Sequence, residues 1–232
     1  AWMKYVEACT IESKATTEPA DIKIEVARGG EYKIRLEDGT TVWLNSESSL
    51  IYPEKFTGDK RAVRLSGEGY FEVARDEKKP FIVSVTDMEI KVLGTKFNVT
   101  AYQDEKMTTT TLISGAVEVV TPHRSVQLQP GKQAMVQEGG DDITVLEVDV
   151  ELATSWTAGI FKFDKMALTD ICTRLSRWYD IDFVFEGETG KEKFTGGTWK
   201  YVPLKDFLSK IERVTNVLFL FENNTVKVVP KK

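Results

Sequence analysis

The chain contains few residues of the kinds that catalyse reactions or bind metals. Its one histidine, His123, lies in the segment TPHRS between two predicted strands. A zinc site or a Ser-His-Asp triad could use this side chain, but the 232 residues hold no second histidine to complete a zinc site. We interpret His123 as a solvent-exposed turn residue.

Two glycine positions resemble phosphate-binding or dinucleotide-binding loops only in part. Gly131-Lys132 is followed by Gln133, where a phosphate loop needs Ser or Thr, and Val126 occupies the position of the first glycine. The sequence therefore predicts a Pro-Gly turn at this point. Gly67 is interpreted as a turn or bulge glycine.

Carboxylates are numerous, and pairs of them serve glycosidases or calcium sites. Asp141-Asp142 follows two glycines, which predicts a solvated loop, with a weak calcium contact as the alternative. Asp170 and Asp206 fall in the first turns of two predicted helices, where a negative charge contributes about 0.3–1 kcal/mol through the helix dipole. We expect no catalytic activity, no cofactor and no metal.

Bulky aromatic residues cluster near the C-terminal end. Trp178 closes a predicted helix, and Trp199 and Tyr201 lie in a candidate strand. Two bulky residues on one strand face are either core residues or part of a docking surface. We retain Trp178, Trp199 and Tyr201 as candidate partner-binding residues. Residues expected in the core are Trp43, Phe71, Phe81 and Phe97.

The net charge of −5 is unevenly distributed. Residues 155–232 hold 13 Lys/Arg and 10 Asp/Glu, a balance of +3, and residues 1–154 hold 18 and 26, a balance of −8. Nucleic-acid binding requires a concentrated basic face, so this distribution argues against it.

The first residues and the two cysteines bear on the cellular compartment of the chain. It has no run of 18 apolar residues and no signal-peptide pattern, which fits either a cytoplasmic protein or a trimmed piece of a longer one. The first residue, Ala, favours the trimmed piece. Cys172 falls on the apolar face of a predicted helix, which favours a buried thiol over a disulfide with Cys9.

Strand patterns dominate from Ile22 to Val150. Stretches such as IKIEVA, YKIRLE and TVWLN alternate apolar and polar residues, and turn residues separate them every 8–12 residues or so. Asp38-Gly39 is a local hairpin signal. Many short strands at this spacing predict a β-sandwich, jelly-roll-like or barrel-like domain.

The pattern changes near Trp156 to a duplicated unit. Shifting the chain by 36 residues aligns 167–186 with 203–222 without a gap, so that ALTDICTRL matches PLKDFLSKI and DIDFVFE matches NVLFLFE. Each copy reads strand, amphipathic helix, strand, and TVKVVP follows as a last strand. We expect one sheet with both helices on one face. The fold class is thus mainly β plus α+β.

Several segments together resemble a known family. LEDGTTVWLN, GEGYFEV, LGTKFNV and LQPGKQA occur in the order seen in the periplasmic FecR domain. The following W-x-x-G-x-F-x-F and the helix ending RWY resemble the C-terminal domain found after FecR domains in Bacteroidetes-type proteins, which is similar to the short secretin-and-TonB N-terminal domain. The resemblance covers about residues 24–229.

The resemblance implies a single-pass inner-membrane anti-sigma regulator whose periplasmic part contacts the signalling domain of a TonB-dependent outer-membrane transporter. An ECF (extracytoplasmic-function) sigma factor would be held only by a cytoplasmic segment that these residues lack. Expected divisions are a juxtamembrane lead or linker over 1–21, a FecR-like β domain over 22–150 and the repeat domain over 155–232. Alternatives are a carbohydrate-binding module, which leaves the repeat unexplained, and a structural spacer.

Overall fold

The computed structural model describes residues 9–13, 21–86 and 88–231, with backbone only for 9–13. Most of the predicted lead over 1–21 and the side chain of Cys9 therefore lie outside the described residues. The chain divides between Thr154 and Ser155 into two compact units, called here the N-terminal unit and the C-terminal unit.

The described part of the N-terminal unit is built almost wholly of strands, as the period-two alternation predicts. Its elements are β1 (Cys9–Ser13), β2 (Asp21–Val26), β3 (Tyr32–Arg35), β4 (Thr41–Leu44), β5 (Ser48–Pro53), β6 (Arg61–Glu72), β7 (Phe81–Val85), β8 (Met88–Val92), β9 (Lys96–Ala101), β10 (Met107–Ser114), β11 (Val117–Val120), β12 (Ser125–Leu128), β13 (Lys132–Gln137), β14 (Ile143–Glu147) and the short helix α1 (Val150–Thr154).

The long strand β6 belongs to two sheets. Its first half pairs with β5 and, in parallel, with β7, and its second half pairs with β4 and β9. Gly67 lies where the pairing changes, with φ of +90°. A side chain there would lie within 2.7 Å of the Ser48 backbone. Glycine fits this crossing because it adopts the positive φ without strain and leaves room for Ser48.

The inward-facing side chains of both sheets form one apolar core. Phe71, Phe81 and Phe97 are fully buried in it, as expected, and Phe71 stacks on Phe97 with ring centroids 5.0 Å apart. The prediction for Trp43 is wrong. On β4 the residues facing the core are Val42 and Leu44, so Trp43 faces the opposite side, where it is half-buried beside Tyr70.

The predicted hairpin at Asp38-Gly39 is present, but its aspartate also has a long-range role. β3 and β4 pair from Arg35 opposite Thr41, and Gly39 has φ of +87°. Asp38 accepts hydrogen bonds from the backbone N–H and hydroxyl of Thr40 and a 2.7 Å ion pair from Arg61 Nη1. The Arg61 side chain is 2% exposed, so this ion pair is buried within the sheet framework.

Three of the family-like segments meet around Glu68. Its carboxylate accepts hydrogen bonds from Asn45 Nδ2 (2.8 Å), Asn98 Nδ2 (2.9 Å) and the Thr100 hydroxyl (3.3 Å). Asn45, Glu68 and Asn98 belong to the LEDGTTVWLN, GEGYFEV and LGTKFNV segments, and Thr100 lies on the same strand, β9, as Asn98. The motif residues thus bond to one another across neighbouring strands, which supports the fold.

The C-terminal unit has the predicted strand-helix-strand order, used twice. Its elements are a 3-10 helix (Ser155–Ala158), β15 (Ile160–Ala167), α2 (Leu168–Tyr179), β16 (Asp182–Phe185), β17 (Lys193–Trp199), α3 (Leu204–Val214), β18 (Val217–Glu222) and β19 (Thr225–Pro230). The helices begin 36 residues apart, and each carries the predicted aspartate in its first turn.

The expectation of one sheet in this unit is wrong. β15 pairs only with β17 among the described strands, and β16, β19 and β18 form a separate sheet in that order. β19 runs parallel to β16 and antiparallel to β18. Each copy of the repeat therefore contributes one strand to each sheet. Periodicity does not predict this arrangement, because it depends on pairing between strands that are distant in sequence.

A second apolar core lies among these elements, with both helices contributing their apolar stripes. Cys172 is a free thiol at 1% exposure, as interpreted, and burial raises its pKa far above the usual range. In the part of the chain that the structure describes, no helix has the length and apolarity needed to cross a membrane.

Candidate partner-binding site

The chain turns sharply at the end of β17, and two of the predicted binding residues lie on this turn. Trp199 is 61% exposed and Tyr201 is 66% exposed, whereas Lys200 between them is only 1% exposed. The side chains thus alternate between outward and inward positions. We call residues 199–201 the aromatic turn.

Aromatic rings surround the inward-facing lysine of this turn. Lys200 Nζ lies 4.5 Å from the ring centroid of Trp178, 5.4 Å from that of Trp156 and 5.6 Å from that of Phe161. An ammonium near several ring faces is stabilised by about 0.5–2 kcal/mol for each favourable contact. Lys200 therefore anchors the aromatic turn from the inside.

Hydrogen bonds hold the backbone of the same turn. The indole N–H of Trp178 donates to Lys200 O at 2.7 Å, and the Lys200 N–H donates to Gly159 O at 2.9 Å. The Tyr179 hydroxyl donates to Val202 O at 2.5 Å, and burial raises the pKa of Tyr179 to about 12. Little backbone entropy remains to be lost when a partner contacts this turn.

The three predicted residues therefore lie together but differ in position. The Trp178 and Tyr201 rings meet edge to face with centroids 5.8 Å apart. Trp178 is half-buried and uses its indole N–H within the unit, so it positions the turn, whereas Trp199 and Tyr201 form the accessible surface.

An open strand edge adjoins Trp199. Because Lys200 bonds to Gly159 across the ladder and β17 alternates, the backbone of Trp199 and Gly197 faces away from β15. Gly197 allows the close approach of β17 to β15, since a side chain there would lie 2.5 Å from the Phe161 carbonyl oxygen. An extended segment of a partner could pair here and pack a side chain on the Trp199 ring.

Sequence reasoning missed a second exposed apolar group in this unit. Val184, Leu218 and Leu220 are 47%, 37% and 47% exposed on the outer face of the three-stranded sheet. A signal was present in the run VLFLF of β18, which has no polar residue on either face. Such a run is typical of strands covered on both sides.

Other candidate sites remain isolated. The exposed His123 lies 3.7 Å from Asp141, and Arg124 pairs with Asp142 at 3.1 Å, so these residues tie two loops together. Across residues 21–86 and 88–231, no group of three or more metal-ligating side chains comes together. Gly131 has φ of +84° and forms the turn between β12 and β13.

Comparison with known proteins assigns the class. The FecR protein family model matches residues 22–118, and the FecR C-terminal model matches residues 160–228. None of the proteins with curated descriptions matches the chain.

Two crystal structures, at 1.65 Å and 2.50 Å resolution, are similar over nearly the whole length. Both are described as a candidate anti-sigma factor from Parabacteroides distasonis ATCC 8503. Each is 30% identical with a TM-score of 0.85; they cover 90% and 91% of this chain, and 99% and 100% of their own chains are covered. The molecule is therefore of the anti-sigma regulator class. The chain belongs to the FecR family.

Proposed function

We propose that this chain is the periplasmic sensing and relay part of a transmembrane anti-sigma regulator. It receives its signal from the signalling domain of a TonB-dependent outer-membrane transporter and controls an ECF sigma factor through a cytoplasmic segment outside these 232 residues. The observation that carries this proposal is the match of both FecR regions in their order along one chain.

The docking surface in this proposal is the aromatic turn with the open edge of β17. Trp199 and Tyr201 supply large apolar area, and the anchored backbone keeps them in place. Backbone pairing at Gly197 would supply affinity, while the rings would select the register of the added strand. A relay of this kind needs no chemistry in the chain itself.

Binding of the whole chain to the cognate signalling domain, measured by calorimetry, tests the proposal. Trp199→Ala removes a central aromatic anchor, so we expect a loss of affinity of about 30-fold, the effect of a 2 kcal/mol hot spot. Val214→Ala serves as the matched control because Val214 is also exposed, at 69%, but lies at the end of α3. Binding that maps wholly to residues 24–150 would contradict the docking surface.

One observation favours carbohydrate binding as a second candidate. Trp43 and Tyr70 form an edge-to-face pair 5.3 Å apart on the outer side of their sheet, and Lys33 Nζ lies 4.2 Å from the Trp43 ring centroid. Aromatic faces beside polar groups suit sugar stacking. A glycan array separates the two: this candidate expects binding that Trp43→Ala removes and Trp199→Ala leaves intact.

A further inference from the structure

The three-stranded sheet of the C-terminal unit has two edges that differ in accessibility. At the β18 edge, the Phe219 N–H faces away from β19 and donates to Glu212 Oε1 of α3 at 2.7 Å. The carboxylate occupies the place that a carbonyl of an added strand would take. Lys231 Nζ also donates to the Thr215 carbonyl at 2.7 Å beside this edge. The chain thus obstructs its own β18 edge.

The β16 edge remains open. Asp182 N–H donates to Asn224 O at 3.0 Å and Glu186 N–H donates to Val228 O at 2.9 Å, so the backbone of these residues faces β19. Backbone groups alternate along a parallel strand. The N–H and C=O groups of Phe183 and Phe185 therefore point outward, and β16 pairs with no described strand other than β19.

The side chains along this edge define what would fit beside it. Residues 182, 184 and 186 share the outer face because side chains alternate with period two, and they read Asp, Val, Glu. The Val184 side chain is 47% exposed between the two acidic positions. The surrounding sequence 180–188, DIDFVFEGE, contains four carboxylates and no lysine or arginine. On the neighbouring strand β19, Lys227 lies opposite Val184 and pairs with Glu222 at 2.8 Å.

We propose that the β16 edge accepts an extended segment of another protein with the pattern Lys/Arg-x-Val/Ile/Leu-x-Lys/Arg. Its backbone pairs with Phe183 and Phe185, its central apolar side chain packs on Val184, and its basic residues face Asp182 and Glu186. Directly opposed cross-strand pairs of opposite charge or matched apolar character each favour one register. The pattern reads the same from either end, so a parallel and an antiparallel segment both satisfy it.

This site is separate from the docking surface on β17 and does not depend on it. The probe is the capped peptide Ac-TKTVTKT-NH2, titrated into the whole isotope-labelled chain while backbone amide shifts are recorded. We expect saturable shifts centred on 183–185, with slower amide exchange at Phe183 and Phe185. The peptide Ac-TETVTET-NH2, with glutamate in place of lysine, should bind at least tenfold more weakly.

Two charge reversals complete the experiment. Glu186→Lys should weaken binding of the lysine peptide about fivefold, as expected for one exposed ion pair. Asp164→Lys, at an exposed position on β15 of the separate two-stranded sheet, should leave it unchanged, and so should Trp199→Ala. The proposal is overturned if no saturable shift appears up to the solubility limit, if both peptides bind equally, or if the shifts centre on β17 or β18.

Discussion

The two units differ in how completely they bury their large apolar side chains. The N-terminal unit has 154 residues, but only Leu93, Val145 and Leu146 are large hydrophobics that remain exposed in its described part. The C-terminal unit has 78 residues and exposes more than twice as many: Val184, Trp199, Tyr201, Val214, Leu218, Leu220 and Phe221. Contiguous groups of exposed apolar residues, rather than scattered ones, are typical of interaction surfaces.

The polar interactions of the two units also differ. In the N-terminal unit the polar motif residues bond to one another, as around Glu68 and in the Asp38–Arg61 pair. In the C-terminal unit hydrogen bonds and a buried lysine instead hold a turn whose outward residues, Trp199 and Tyr201, are largely exposed. The larger unit buries nearly all of its described large apolar side chains, and the smaller one leaves several exposed.

The largest expected effect tests whether the two cores are independent. Phe71→Ala in the N-terminal core and Phe207→Ala in the C-terminal core should each cost about 3–5 kcal/mol in the free energy of unfolding of its own unit. Denaturant titration followed by amide resonances from each unit checks this. If either variant lowers both transitions equally, the units unfold together and the comparison fails.

The next effect concerns the buried ion pair that stabilises the N-terminal unit. Arg61→Ala leaves Asp38 without its 2.7 Å partner in a site where the side chains are 2% and 12% exposed, so we expect a loss of about 3 kcal/mol. Arg64→Ala is the matched control, because the Arg64–Asp21 pair is 64% and 53% exposed and is worth about 0–1 kcal/mol. Equal losses from the two variants would contradict the structural role of Arg61.

The smallest effect is a pH dependence of the C-terminal unit. The folded-state pKa of Tyr179 is raised to about 12, above its ordinary value of 10.0, so the unfolded chain ionises first as the pH rises. The stabilisation is fully present below pH 10 and is lost between pH 10 and 12. In thermal melts, the melting temperature should fall more steeply between pH 10 and 12 for the native chain than for Tyr179→Phe. Parallel curves would show that the buried hydroxyl does not contribute.

Local patterns in the sequence were sufficient to predict most of the helices and strands of this fold. Period-two alternation predicted most strands, and the 36-residue shift predicted helices that begin at Leu168 and Leu204. The sequence predicted Trp199 and Tyr201 within one strand, whereas the structure ends that strand at Trp199 and places Tyr201 in the following turn. The strand and helix periodicities depend on residues within about ten positions of one another, and the repeat adds a comparison of two such local patterns 36 residues apart.

Only the tertiary structure decided which strands became neighbours and which side chains remained exposed. The division of β6 between two sheets, the separate sheets of the repeat and the closure of the β18 edge by Glu212 all depend on backbone pairing between distant segments. The backbone hydrogen-bonding groups are alike at nearly every residue. A sequence therefore predicts where a strand forms better than it predicts which strand pairs with it. For the same reason the sequence did not predict that one face of β18 is exposed. The run VLFLF is typical of a strand buried on both faces, and only its neighbours in the fold show otherwise.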